Sequence, residues 1–178
     1  LMQWLWREDY DLGTDPISSL SLGPCGWVQI LTFTVVGLLV GLFGFGARRI
    51  HREYRALDRM LRFAGALLIV TGAGLVGVGV FVVDPFAWHG TLHDISTGVA
   101  INAALLAVAA LAAVWWRTKQ RARAVHGALT VVVCTPLALS PHAETIALRH
   151  TVVIMLIAAW LTTTALLLLL EQRKGESG

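Results

Sequence analysis

The sequence predicts an all-α protein, a polytopic bundle of membrane-spanning helices, and three observations carry that prediction. Four runs, 27–47, 63–83, 95–116 and 151–170, hold no charged residue over the ~20 positions a helix needs to cross ~30 Å of hydrocarbon. Basic residues gather in every second connection between the runs. The chain as a whole is 56% hydrophobic and 14% charged, with a mean hydropathy of +0.70, outside the balance of a soluble globular domain.

In order, the chain reads as an extracytoplasmic N-terminal segment at 1–26, a transmembrane bundle at 27–170 and a cytoplasmic tail at 171–178. The first segment is polar and acidic after Trp4 and Trp6, and Gly13, Pro16, Gly23 and Pro24 punctuate it with turns. It lacks the charged start and small-residue cleavage site of a secretory signal. A further helix ahead of Leu1 would raise the spans from five to six and bring both termini to one side.

The first span carries Gly37 and Gly41 at GxxxG spacing, and the second carries Gly72, Gly74, Gly77 and Gly79. Small residues let helix backbones approach closely, which predicts that these two spans pack on each other, with a homodimer face as the alternative. A fifth run, 124–140, is shorter and contains Pro136. It covers about 26 Å if helical throughout. It is counted as a span because the flanking charges make sense only if it crosses, and it is expected to thin the bilayer or kink at the proline.

Orientation follows from the basic residues. Arg48, Arg49, Arg52, Arg55, Arg59 and Arg62 precede the second span, Arg117, Lys119, Arg121 and Arg123 precede the fourth, and Arg173 and Lys174 follow the last. Twelve of the fourteen basic residues thus share one side, leaving Arg7 and Arg149 on the other. The positive-inside rule places that side in the cytoplasm, with the N-terminal segment outside and the C-terminus inside a plasma membrane. Trp27 and Trp88 mark the outer interface, and Trp115 with Trp116 the inner one. Cys25 precedes the first span while Cys134 falls inside the fourth, so two free thiols are expected rather than a disulfide.

Seven of the eleven acids and four of the six histidines fall on the outer side. The most compact set of candidate ligands lies at 84–94, where His89 and His93 are four apart and share a helical face if the third helix begins early. With Asp84 just before them and His150 or His142 from the next outer loop, they could hold a zinc-type ion with an open water position. Asp11 and Asp15 are then the candidate general bases. Gly90 stands where a zinc-protease helix would carry Glu, which excludes that motif. A purely structural reading competes with this one: Asp84-Pro85 ends the second helix, Gly90 turns the loop, and His93 or Asp94 caps the third helix.

Arg149 opens the last span on the acidic side, where it pairs with Asp84, Asp11 or Asp15, or clamps a lipid phosphate. No acid or base lies at mid-depth in any span, which argues against a proton-coupled transporter or an ion channel, and no facing histidines are placed to hold haem.

Several of these residues fall into an ordered pattern. Tyr10-Asp11 is followed by Ile17-Ser18, Leu20 and Gly23, then by Asp84-Pro85, by His89-Gly90 with His93, and by Arg149 with Trp160. In this the chain resembles a family of prokaryotic integral membrane proteins known as domain of unknown function 998, and more distantly the FRAG, DRAM and Sfk group. The resemblance implies a helix before the Tyr-Asp motif. It departs at Leu148, where many members carry Gln or Glu. It implies a shared outer site in which Tyr10, Ser18 and Arg149 bind ligand.

The expectation is a membrane protein with an outward-facing polar pocket that binds or organises lipid or supports a membrane-protein partner. The alternative is a zinc-dependent hydrolase acting on lipid at the outer leaflet. Zinc is the one cofactor the pattern brings into view, and no nucleic-acid partner is expected.

Overall fold

A computed structural model of the chain describes residues 10–11, 13–49, 57–82, 87–140 and 145–176. A 3-10 helix, Ile17–Ser21, precedes α1 (Gly26–Arg49), α2 (Asp58–Val80), α3 (Ala87–Arg117), α4 (Arg121–Leu139) and α5 (Ile146–Glu176). Each of the five long helices is long and apolar enough to cross a membrane, as the uncharged runs require. They alternate in direction. One end of the bundle carries the 3-10 helix, His93 and Arg149; the other carries the arginines at 59–62 and 117–123.

Each helix packs chiefly on the one before it, α1 on α2, α2 on α3, α3 on α4 and α4 on α5, with α3 also reaching α5. Glycine decides the first of these contacts. A Cβ on Gly72 would stand 2.4 Å from the Gly37 carbonyl oxygen and 2.8 Å from the Gly41 nitrogen, and one on Gly44 would stand 2.6 Å from the Gly65 oxygen. Backbone therefore meets backbone along the α1–α2 seam, and the GxxxG step acts within the chain. Further along, Ala64, Leu68, Ala107, Val108, Leu111 and Trp160 form the centre of the core.

Two expectations are corrected. Helix α3 begins at Ala87, not near 95, so Gly90 lies within a helix rather than turning a loop, and His93 and Asp94 lie past the capping position. Trp115 is not an interfacial residue. It is buried against Trp160, ring centres 5.8 Å apart, while Trp116 is exposed. The cause is angular: neighbours on a helix point ~100° apart, so a border drawn from charge cannot say which tryptophan faces the core. Helix α4 runs through Pro136 to Leu139, the extent that the fifth run gave it. Neither cysteine is in a disulfide, and Cys134 is buried.

Candidate functional site

The two ends of the bundle hold its polar chemistry in different ways. At the histidine end the N-terminal segment forms a tight turn. Tyr10 Oη donates to the Asp15 carbonyl at 3.1 Å, the Asp15 carboxylate accepts from the Asp11 N–H at 3.0 Å, and the Asp11 carboxylate accepts from the Gly13 N–H at 2.8 Å. The structure thus brings Tyr10, Asp11 and Asp15 together as turn-forming residues. Ser18 is buried in the following 3-10 helix, which packs on α1.

His93 is 5% exposed, and its Nδ1 donates at 2.8 Å to the carbonyl of Phe81, the residue that ends α2. His89 lies one turn earlier on α3, against the Trp88 ring. Arg149 is 9% exposed and does for α4 what His93 does for α2. Its Nη1 donates to the carbonyls of Leu137 at 3.0 Å and Ser140 at 2.8 Å, and its Nε to Thr145 Oγ1 at 2.9 Å. The neighbouring His150 faces the Ala138 carbonyl. The last carbonyls of a helix have no intrahelical partner, and a cation there also answers the negative end of the helix dipole.

These two arrangements are one device used twice. His93 reaches back 12 residues to Phe81, and Arg149 reaches back 12 residues to Leu137. In the sequence, Pro85, Ala87, Leu92 and His93 correspond to Pro141, Ala143, Leu148 and Arg149 at a constant offset. Sequence reading missed this repeat, and the paired prolines were the signal that could have found it. Asp84 and His142 lie outside the described residues. Among the described residues no three His, Cys, Asp or Glu side chains gather as a metal site would.

At the arginine end a cleft of about 130 Å³ opens over α3, between α1 and α5. Its apolar walls come from Phe43 and Ala47 of α1, Leu61 of α2, Leu111, Val114 and Trp115 of α3, and Leu168 of α5. Thr164, 4% exposed, sits among them. Thr71 and Thr130 return their hydroxyls to the carbonyl four residues back, and among the described residues Thr164 makes no such bond. Thr118, Gln120, Arg123 and Glu171 form the polar mouth.

Arg123 donates to Glu171 from α4 to α5, and also to Gln120 Oε1 at 2.8 Å. Around the mouth, Arg117 donates to Met60 Sδ at 3.2 Å, and Arg121 lies 3.9 Å from the centre of the Trp116 ring. Sequence reading treated this face as a plain basic surface. The Arg123–Glu171 pair joins residues 48 positions apart, and no local spacing announces it.

A family model described as "Protein of unknown function (DUF998)" matches residues 1–167. No curated protein and no solved structure matches the chain.

Proposed function

The chain belongs to the DUF998 family, whose description names no activity, and from the geometry of its cleft we propose that it is a membrane protein that binds a lipid. The observation that carries this reading is the cleft at the arginine end, apolar along its depth and charged only at its mouth. That order matches a lipid lying with its chain along α3 and its headgroup at the level of Arg123. From Thr164 to Glu171 the cleft follows α5 for about 10 Å, the depth of the first part of an acyl chain. The basic residues around the mouth favour the cytoplasmic side of a plasma membrane for this end.

The histidine end supports the lipid reading less directly, because its buried cation and imidazole hold helix termini. A photoreactive group on an acyl chain, activated in membranes containing the protein, tests the proposal. Adducts are expected on Phe43, Leu111 or Leu168. Adducts confined to freely exposed positions such as Leu38 and Val132 would overturn it.

One observation favours the zinc alternative. A carbonyl on Nδ1 leaves His93 Nε2 as the nitrogen available to a metal, the arrangement that commonly orients a ligating imidazole, and His89 stands one turn away. Zinc bound near stoichiometrically by the purified protein, and lost in the His89→Ala, His93→Ala double variant, is the result expected of that reading. No zinc retained by either protein after loading retires it.

A further inference from the structure

Resting on the lipid reading, we propose that the cleft takes an anionic phospholipid whose phosphate replaces the Glu171 carboxylate at Arg123, so that Glu171 is a built-in competitor that sets headgroup selectivity.

The pair at the mouth is asymmetric. The Arg123 side chain is 15% exposed, set into the wall, while that of Glu171 is 59% exposed near the end of α5. Arg123 is also held by Gln120, so its aim does not depend on Glu171. A guanidinium presents paired N–H groups that match two phosphate oxygens as well as two carboxylate oxygens. An ion pair with one partner largely in water holds weakly, so exchanging the carboxylate for a phosphate meets a low threshold.

A second feature points to the same charge. Helix α4 begins at the mouth, its preceding residue Gln120 bonds the Arg123 side chain but caps none of the helix's backbone N–H groups, and its first turn contains no acid. The Arg121 N–H is taken by the Lys119 carbonyl, and the remaining first-turn N–H groups and the dipole of that terminus favour an anion beside it. Arg117 and Arg121 are engaged with Met60 and Trp116, so they add positive potential at the mouth without filling it. The Glu171 carboxylate marks where a headgroup oxygen would sit.

The floor decides between a lipid and a soluble phosphate. Leu111, Val114, Trp115 and Leu168 offer nothing to an inorganic or sugar phosphate and suit methylene groups. About 130 Å³ is roughly four water volumes, room for a few methylene groups below the headgroup, with the rest of the lipid outside the cleft.

The test titrates the full chain in detergent with phosphatidylglycerol or phosphatidylcholine carrying brominated chains. Quenching that is lost in Trp115→Phe reports occupancy of the cleft. The protein is expected to prefer phosphatidylglycerol. Glu171→Gln should tighten that lipid about two- to fivefold and tighten phosphatidylcholine less, because the choline cation beside the phosphate loses the Glu171 charge, so the ratio moves further toward phosphatidylglycerol. Arg123→Gln should weaken phosphatidylglycerol about tenfold and abolish the preference. Asp94→Asn, a charge change on an exposed residue at the opposite end of the bundle, should leave the ratio of the two affinities as it was.

Glu171→Gln with an unchanged ratio and intact Trp115 quenching refutes the competitor while the lipid reading stands. No Trp115-dependent quenching by either lipid refutes the lipid reading itself. Glycerol phosphate competing as well as phosphatidylglycerol refutes a lipid as the occupant. Should Arg123→Gln fail to fold, the Glu171→Gln ratio alone decides.

Discussion

The histidine end and the arginine end both hold a nearly buried arginine, and the two arginines differ in what they hold. Arg149 donates to carbonyls of a helix terminus, which stay where the helix puts them. Arg123 donates to the carboxylate of a largely exposed side chain, which no helix backbone holds in place. A buried cation bound to backbone is part of the scaffold; one bound to a mobile carboxylate is available for exchange. On the lipid reading proposed above, the partner rather than the burial of the charge separates the two arginines.

The sharpest way to break this comparison is to remove Arg149. Arg149→Leu leaves the Leu137 and Ser140 carbonyls without their donor, and a loss of about 3 kcal/mol in unfolding stability is expected. Thermal unfolding in detergent measures it. Lipid affinity, read below the lowered Tm, should be unchanged; a loss of affinity at full stability would move Arg149 into a binding site.

His93→Leu removes one donor from one carbonyl, so a smaller loss of about 1 kcal/mol is expected by the same measurement. A loss equal to that of Arg149→Leu would show that the number of carbonyls held does not set the size of the effect. At the other end, Glu171→Gln should change stability by less than about 1 kcal/mol, because the pair is partly in water. A larger loss would make the pair a structural strut and the contrast between the ends would fail.

The sides of the membrane give a test without an energy scale. Single cysteines at Thr14 and Gln120, in a protein lacking Cys25 and Cys134, report which end faces out. An impermeant thiol reagent should label intact cells at position 14 alone. Labelling at 120 instead would turn the cleft to the opposite leaflet.

Much of the fold was legible because hydropathy and charge are sums over many residues. Five spans and their alternation follow from runs that no single substitution changes. The start of α3 was not legible, since Trp88 to Asp94 mix polar and apolar residues and hydropathy alone begins the span at Ile95. The α1–α2 seam was readable from its glycines, although which glycines meet required the structure.

The chemistry was legible only where side chains are near in sequence. His89 and His93 share a helix face because α3 begins early, the condition on which that placement depended. The carbonyl partners of His93 and Arg149 could not be read, because every residue carries a carbonyl and only helix ends leave one free. The mouth of the cleft joins α4 to α5, so Arg123 and Glu171 look like ordinary surface charges until the helices are packed.

The order of packing, each helix on its predecessor, bears on how the protein is made. A helix entering the bilayer during synthesis finds its main partner already in place, so α2 can dock on α1 before α4 or α5 exists. Such stepwise assembly builds every seam between successive helices. The cleft lies between α1 and α5, which are not successive, so no such docking step closes it.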